Sequence, residues 1–205
     1  MTERVNHVYR LVTVPRLYSL FQNLLGGNSA RRRLVKEHYD ISAGSRVLDL
    51  GCGPGDFLGV LPDVEYTGVD LNPKHIEAAK YRWGTRGTFV HDDVASLSLQ
   101  SHDAFDRIIF TGLLHHLDDS AATALVQTCG TLLAPRGRMI GLEPCYVDGQ
   151  HPFARWMKNR DSGQNIRDLQ GYRKLFVGSE GTLETILLDD LLRIPYNHVV
   201  ISWSK

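Results

Sequence analysis

The chain has 205 residues, which suffices for one domain with a full hydrophobic core but not for two domains of ordinary size. Lys plus Arg and Asp plus Glu each number 23, so the formal charge is zero and the basic excess typical of nucleic-acid-binding proteins is missing. The three cysteines form no CxxC pair, which predicts neither a disulfide framework nor a zinc signature and favours the cytoplasm. No apolar run approaches the ~18 residues of a membrane span, so no membrane association is expected.

Apolar residues recur at helical spacing over residues 5–38, with a break at 26–29 and a second helix predicted over 30–39. The run Arg31-Arg32-Arg33 within it is interpreted as a solvated helix face. From residue 46 onward, short β-rich runs alternate with helical patterns, which is typical of right-handed crossovers and a parallel sheet. The predicted strands are 46–50, 65–69, 88–91, 105–110 and 138–142, and the predicted helices between them are 73–82 and 120–133.

The C-terminal part has two strand-like runs, 182–192 and 197–203, although a helix in the first run stays an alternative. Their short connection predicts an antiparallel pair. We therefore predict an α/β fold with a doubly wound, mainly parallel seven-stranded sheet, an antiparallel last strand and an N-terminal helical cap. Within this single domain of residues 1–205, the expected parts are the cap (1–40), a ligand-binding core (41–145), an insertion (146–180) and a C-terminal strand pair (181–205).

A glycine-rich turn, Gly51-Cys52-Gly53-Pro54-Gly55, follows the first predicted strand. Such a turn lets the backbone approach a nucleotide-type ligand closely. Asp56 stands where a dinucleotide-binding fingerprint has its third glycine. A carboxylate at the start of the following helix would repel a pyrophosphate, and Asp49 adds a second negative charge. This pattern favours a cationic ligand without phosphate over a nicotinamide dinucleotide.

Further acids end the next two predicted strands. Asp70 follows the loop by about 20 residues, where an acid can accept hydrogen bonds from ribose hydroxyls. Asp93 ends the third strand and can accept a hydrogen bond from an adenine amino group, while Leu71 and Val94 flank the ring. Ligands bind in open α/β sheets beside the carboxyl ends of the strands, so these residues are expected to share one site.

With these motifs in order, the chain resembles the class I S-adenosylmethionine-dependent methyltransferases. The first motif is matched by residues 47–55, the acids of the second and third strands by Asp70 and Asp93, and the fourth- and fifth-strand segments by 105–117 and 132–140. The resemblance covers about residues 40–145. It implies S-adenosylmethionine as cofactor and a seven-stranded sheet with an antiparallel last strand.

The resemblance also implies roles for single residues. Gly51 and Gly53 are expected near the methionine part of the cofactor, Asp70 at the ribose, and Asp93 with Val94 at the adenine. The backbone at Thr111 would accept from the cofactor's ammonium group. The remaining members of the expected cofactor site are Asp49, Cys52, Leu71, Gly112 and Tyr18. Tyr18 is expected to bind the cofactor's carboxylate, with Arg10 and Arg16 as alternatives for that contact.

The methyl acceptor is expected at the carboxyl end of the fourth strand. His115 and His116 follow this strand, and histidine is a natural base near neutral pH, although the pair can also merely shape the pocket. Glu143 ends the fifth strand and either bonds the acceptor or anchors a loop. Asp118 and Asp119 are interpreted as a helix start rather than as metal ligands, and no metal is expected.

Other readings stay open at this level. The insertion carries aromatic residues and arginines and is interpreted as a lid over the acceptor, the alternative being a helix packed on the sheet. Residues 111–114 lack the Asn/Asp-Pro-Pro-Tyr/Phe pattern of enzymes that methylate bases or glutamine amides, which disfavours a nucleic-acid or protein substrate. A small-molecule acceptor with an oxygen or nitrogen nucleophile is expected. A cofactor-binding protein without methyl transfer is the alternative, and a homodimer stays open.

Overall fold

The computed structural model describes residues 27–94 and 104–205. The strands are β1 Arg46–Leu50, β2 Glu65–Asp70, β3 Thr88–His91, β4 Phe105–Thr111, β5 Leu133–Tyr146, β6 Arg167–Asp168, β7 Thr182–Leu188 and β8 His198–Ser204. The α-helices are α1 Gly27–Leu34, α2 Pro73–Trp83, α3 Asp119–Leu132, α4 Pro152–Lys158 and α5 Leu169–Lys174.

The strands form one sheet in the order β3-β2-β1-β4-β5-β8-β7, and β6 pairs with the end of β5 beside this path. Strands β1 to β5 run parallel to one another, whereas β8 is antiparallel to both of its neighbours, β5 and β7. The predicted doubly wound sheet with an antiparallel last strand is thereby confirmed. The parallel strands bring all their carboxyl ends to one edge.

Alternating side chains of the central strand β4 divide the core into two layers. Ile108 and Phe110 pack in a cluster with α3, while Ile109 points to the opposite face and packs in a cluster with α1 and α2. Because successive strand residues point to opposite faces, a run of apolar residues such as 108–110 is the pattern of a strand covered by helices on both sides.

The structure differs from the sequence prediction at four places. The cap helix begins at Gly27 and continues beyond Leu34 as a π-helix, Val35–Tyr39. After the glycine loop there is only a 3₁₀ turn, Phe57–Gly59, in place of the expected first helix; Gly59 and the following Pro62 both disfavour a continuing helix.

Strand β5 begins at Leu133 rather than at 138. The Pro-Arg-Gly stretch 135–137, which the sequence prediction placed outside the strand, lies within it, at an irregularity in the pairing of β5 with β4. The connection between β7 and β8 spans residues 189–197 and is longer than predicted. Across the described residues, no helix has both the length and the apolar character that crossing a membrane requires.

Candidate functional site

The glycine loop is tied to the end of β2 by backbone hydrogen bonds. The N–H groups of Gly51 and Cys52 both donate to the carbonyl oxygen of Val69, at 2.8 and 3.0 Å. The N–H of Gly53 donates to Oδ2 of Asp70 at 2.8 Å. Two sequence-predicted site segments, the loop and the second-strand acid, are therefore brought together at the same edge of the sheet.

The loop glycines adopt backbone conformations that favour glycine. Gly51 has φ +69° and Gly53 has φ +55°, both in the left-handed region. A Cβ added at Gly53 would meet no heavy atom within 4 Å, whereas one at Gly51 would lie 3.3 Å from Cδ1 of Leu113. The space over Gly53 is thus open, and a ligand can approach the backbone there.

Asp70 is held as a carboxylate at the mouth of the site. Its Oδ1 accepts a hydrogen bond from the N–H of Asn72 at 2.8 Å and lies 3.3 Å from Nδ1 of His75. Burial would raise the pKa of Asp70, but the nearby imidazole of His75 and the backbone hydrogen bonds from Asn72 and Gly53 together outweigh it and lower the pKa. The neighbouring Leu71 is 64% exposed.

Asp49 and Cys52 lie inside the sheet beneath the loop rather than at its open face. Oδ2 of Asp49 accepts a hydrogen bond from the hydroxyl of Tyr66 at 2.6 Å, and burial raises the pKa of Asp49 to about 7. Sγ of Cys52 lies 2.8 Å from where a Cβ on Gly68 would be. Both side chains therefore support the loop from within, and a cofactor contact through them stays a prediction.

The structure corrects the interpretation of Asp56. The carboxylate is not a bare anion at a helix start, because it is ion-paired with Arg31 at 3.1 Å and with Arg82 at 2.5 Å. Arg31 is accordingly only 9% exposed, so the basic run 31–33 is not a uniformly solvated face. Since both arginines offset its charge, the electrostatic argument from Asp56 against a pyrophosphate ligand no longer holds.

The other predicted cofactor residues lie along the same edge. The N–H of Asp93 donates to Oδ1 of Asp92 at 2.8 Å, and Val94 is buried. Thr111 is exposed at the end of β4, and Gly112 follows it with φ +66° and donates its N–H to the carbonyl oxygen of Leu142 at 2.9 Å. Tyr18 lies outside the described residues.

Glu143 is fully buried and anchors the turn that follows β4. Its Oε1 accepts hydrogen bonds from the N–H groups of Leu113 and Leu114 at 2.7 and 2.8 Å. Its Oε2 accepts from the N–H of His115 at 3.3 Å and lies 2.7 Å from Nδ1 of the same residue. Since both carboxylate oxygens are engaged, the structure supports the loop-anchoring interpretation of Glu143 over direct contact with an acceptor.

His115 is held between two carboxylates. Nδ1 faces Glu143, and Nε2 lies 3.4 Å from Oδ1 of Asp161. Burial alone would lower the pKa of His115, but the hydrogen bonds to Asp161 and Glu143 raise it to about 9. A buried cationic imidazole flanked by two carboxylates is a positioning group rather than a free base.

His116 is the more accessible member of the pair. Its ring centroid lies 4.2 Å from that of His115, with 37° between the ring planes, and the residue is exposed. Burial of the ring and then the positive charge on His115 lower the pKa of His116. Its imidazole is therefore neutral at neutral pH, the form that can accept a proton.

Part of the insertion is packed firmly against this turn. The guanidinium of Arg167 donates to the carbonyl oxygens of Leu114, Leu117 and Asn165, each at 2.9 Å. It also pairs with Asp119 at 2.7 Å. Sequence reasoning placed Arg167 among the arginines of a lid and missed Asp161, since neither residue belongs to a recognisable motif.

The predicted lid divides into two portions. Tyr172 is buried, donates its hydroxyl to the carbonyl oxygen of Pro144 at 2.8 Å, and packs with Phe176 in the core beside α3. This portion fits the alternative of a helix packed on the sheet. On α4, by contrast, the rings of Phe153 and Trp156 stack at 5.8 Å and are 43% and 50% exposed.

A cleft of about 320 Å³ is lined in part by Asp161, the residue whose Oδ1 lies 3.4 Å from Nε2 of His115. Its polar lining includes Asp161 and Lys158, whose ammonium is buried and donates to the carbonyl oxygen of Cys145 and, at 2.9 Å, to Oε1 of Gln150. Burial lowers the pKa of Lys158 to about 8. The complete lining is Tyr146, Lys158, Asn159, Asp161, Gly163, Gln164 and Ile166.

Comparison with known proteins finds similarity to methyltransferases. Residues 47–137 match the family model described as a methyltransferase domain. Phosphoethanolamine N-methyltransferase 1 of Triticum aestivum is 28% identical over 178 residues, which cover 82% of this chain and 35% of that protein. A ubiquinone biosynthesis O-methyltransferase of Xanthomonas euvesicatoria pv. vesicatoria (strain 85-10) is 29% identical over 117 residues, which cover 55% and 48%. The chain thus spans less than half the length of these two curated relatives.

Solved structures share the fold. One is a chain in the complex between the Haloferax volcanii Trm112 methyltransferase activator and a methyltransferase, with a TM-score of 0.76, 15% identity and coverage of 95% and 96% of the two chains. Another is magnesium protoporphyrin IX methyltransferase from Synechocystis PCC 6803 with bound SAH, with a TM-score of 0.63, 18% identity and coverage of 100% and 90%.

The sheet order and the glycine loop at its carboxyl edge define a Rossmann-like methyltransferase fold. The segment 47–137 matches a methyltransferase domain and the whole chain shares the fold of solved methyltransferases, so the chain is similar to methyltransferases of this fold.

Proposed function

We propose that this protein transfers a methyl group from S-adenosylmethionine to an oxygen or nitrogen atom of a small-molecule acceptor. The observation that carries the proposal is the open loop at Gly53, held by the carboxylate of Asp70, within the segment that matches the methyltransferase domain. Relatives named for O- and N-methylation support both acceptor atoms equally.

The residues at this edge fit the methyl donor. The open face over Gly53 admits a backbone contact, the carboxylate of Asp70 suits ribose hydroxyls, and exposed Leu71 with buried Val94 suits the faces of an adenine ring. When bound, S-adenosylmethionine supplies a methyl group that its positive sulfur has already activated. The protein's own contribution is therefore to align the acceptor and to manage its proton.

On the acceptor side, we assign different roles to the two histidines. His115 is fixed by Glu143 and Asp161 and positions the turn. The exposed, neutral imidazole of His116 can act as the base that removes the proton of the acceptor. The nearby cleft holds Lys158 and Tyr146, so a polar or partly anionic acceptor fits it better than a hydrocarbon. Glu143 acts through His115 and does not meet the acceptor.

Label transfer tests the proposal directly. The full chain is incubated with methyl-labelled S-adenosylmethionine and two acceptor panels, one of phenols and hydroxy acids and one of amines, and labelled product is measured together with S-adenosylhomocysteine. We expect transfer to members of one panel and its loss in Asp70→Ala. Asp63→Ala, which removes an exposed acid away from the loop, is the matched control and should keep full activity.

Two negative results have different meanings. Binding of S-adenosylhomocysteine without transfer to either panel or to a cell extract would favour the alternative of a cofactor-binding protein that does not transfer methyl groups. Failure to bind S-adenosylhomocysteine at all would refute the assignment of the donor site.

A further inference from the structure

Three side chains of the kinds that ligate metal ions converge at the acceptor edge of the site. His115, His116 and Asp161 each offer one ligand atom, and these atoms all lie within 4.8 Å of one another. The histidines follow β4, whereas Asp161 belongs to the insertion after α4. The fold thus assembles the cluster from two distant parts of the chain.

The spacing within the cluster suits an intervening ion. Nε2 of His115 and Oδ1 of Asp161 are 3.4 Å apart, longer than the ~2.7–2.9 Å of a charge-assisted hydrogen bond between nitrogen and a carboxylate. Two ligand atoms each about 2.1 Å from a tetrahedral metal ion lie about 3.4 Å from each other. The distance within this pair is compatible with such an ion, and the three ligand atoms, which lie within 4.8 Å of one another, would close in slightly around it.

The orientation of His115 is also that of a metal-binding histidine. Oε2 of Glu143 lies 2.7 Å from Nδ1, which leaves Nε2 directed towards Asp161. Histidines that bind metals almost always donate their other ring nitrogen to a carboxylate or carbonyl in this way. A Cβ at Gly163 would fall only 1.8 Å from Cδ2 of His115, so the ring is confined on its other side as well.

We propose that His115, His116 and Asp161 bind one divalent transition-metal ion of the zinc type, which would replace the proton on Nε2 of His115 and leave Nδ1–H donating to Glu143. Two imidazoles with one carboxylate suit zinc-like ions, whereas magnesium and calcium prefer ligand sets made of oxygen. Three protein ligands leave a fourth position open, which is the arrangement of catalytic rather than structural zinc sites. His116 and Asp161 are exposed, so an ion reaches the cluster from solvent.

The open position of the ion would face the cleft that Asp161 lines. A coordinated hydroxyl becomes more acidic, so the acceptor would lose its proton to water and its oxygen would attack the methyl carbon as the bond from carbon to sulfur breaks. His116 would then serve as a ligand and not as the base. This use of the ion rests on the proposed methyl transfer, whereas binding of the ion does not.

Equilibrium dialysis tests the site without any methyl donor. The full chain, treated with a chelator and then freed of it, is dialysed against Zn²⁺ and in parallel against Co²⁺, whose visible absorption reports its coordination. We expect one ion per chain, with affinity at least about tenfold weaker in Asp161→Asn and in His116→Gln. Asp148→Asn changes an exposed acid in the same insertion and should leave the affinity unchanged.

Metal content that is not stoichiometric, or binding that neither substitution weakens, would overturn the proposal and identify the cluster as an ion pair between His115 and Asp161 only. Titration of the same preparations with S-adenosylhomocysteine separates this result from a failure of the proposed function. An intact donor site with no metal affinity refutes the metal site alone. Both variants change exposed residues, and circular dichroism confirms that they are folded.

Discussion

The carboxylate of Asp70 accepts a hydrogen bond from the backbone N–H of Gly53, and the two atoms lie 2.8 Å apart. The acid that would hold the ribose thus also fixes the loop that would hold the methionine part of the donor. One residue of β2 therefore sets the distance between two portions of the expected cofactor site.

Replacing this acid should weaken binding of the donor product. In Asp70→Ala both the loop contact and the ribose acceptor are lost, so we expect the binding free energy of S-adenosylhomocysteine to fall by ~1–3 kcal/mol, the cost of an unpaired polar group. Asp93→Ala should lower it within the same range through the adenine contact. Isothermal titration calorimetry measures both, and Asp63→Ala serves as the control. Unchanged affinity in both variants would contradict the site.

Arg167 belongs to no recognisable motif, yet it should contribute strongly to the stability of the fold. Arg167→Met leaves three carbonyl oxygens without their donor, and we expect the free energy of unfolding to fall by at least about 2 kcal/mol. Urea denaturation measures the change. Arg155→Met, at an exposed position of α4, should shift the midpoint little. Equal midpoints for the two variants would show that the carbonyls find other partners.

Gly163 should not tolerate a larger side chain. In Gly163→Ala the new methyl group collides with the ring of His115, which Glu143 holds on the other side. We expect overpacking to cost ~1–3 kcal/mol of stability, measured by thermal unfolding. Ser162→Ala alters the exposed neighbouring position and should keep the melting temperature of the parent. A fully stable Gly163→Ala would mean that the turn shifts freely.

Asp49 should make stability depend on pH. Burial raises its pKa from 3.8 to about 7 in the folded chain, so between these values the native state binds more protons than the unfolded state and stability falls as pH rises. Asp49→Asn can still accept from Tyr66 but does not titrate. Relative to this variant, the parent should lose at least about 1.4 kcal/mol between pH 5 and pH 8.

Urea midpoints of the parent and Asp49→Asn at the two pH values provide the measurement, and the difference between the proteins cancels the titration of all other groups. If both proteins show the same pH dependence, the pKa of Asp49 is not raised on folding, and another group must stabilise its buried carboxylate.

Local patterns in the sequence predicted those features that depend on neighbouring residues. The apolar run 108–110 identified the central strand, the glycines identified the loop, and Asp118 was correctly interpreted as a helix start, since its Oδ1 accepts from the N–H of Ala121 at 2.9 Å. The two β-rich runs near the C-terminus predicted the strands β7 and β8, and their antiparallel pairing was predicted from a connection that proved longer than expected. Each of these signals is contained in a few consecutive residues.

Features that depend on distant partners were not predictable in this way. The pairing of Asp56 with Arg31 and Arg82 joins residues about 25 positions apart, and the approach of Asp161 to His115 spans a still longer stretch of chain. Nothing in the neighbourhood of either acid specifies its partner, because the sheet and the packed insertion create the proximity. For this reason the sequence pattern predicted that Asp56 repels an anionic ligand, whereas its carboxylate forms ion pairs with Arg31 and Arg82 within the protein.

The hydrogen bonds of Arg167 tie the second portion of the insertion to the turn after β4, so substitutions should be tolerated better in the first portion than in the second. From Arg167 to Phe176 the insertion is part of the framework that supports the turn after β4, and changes there would disturb the donor and acceptor sides together. Residues 147–163 carry the exposed ring pair on α4 and part of the cleft lining. If the cleft binds the acceptor as proposed, we expect that grafting this shorter segment between homologues exchanges acceptor choice while the donor half stays intact.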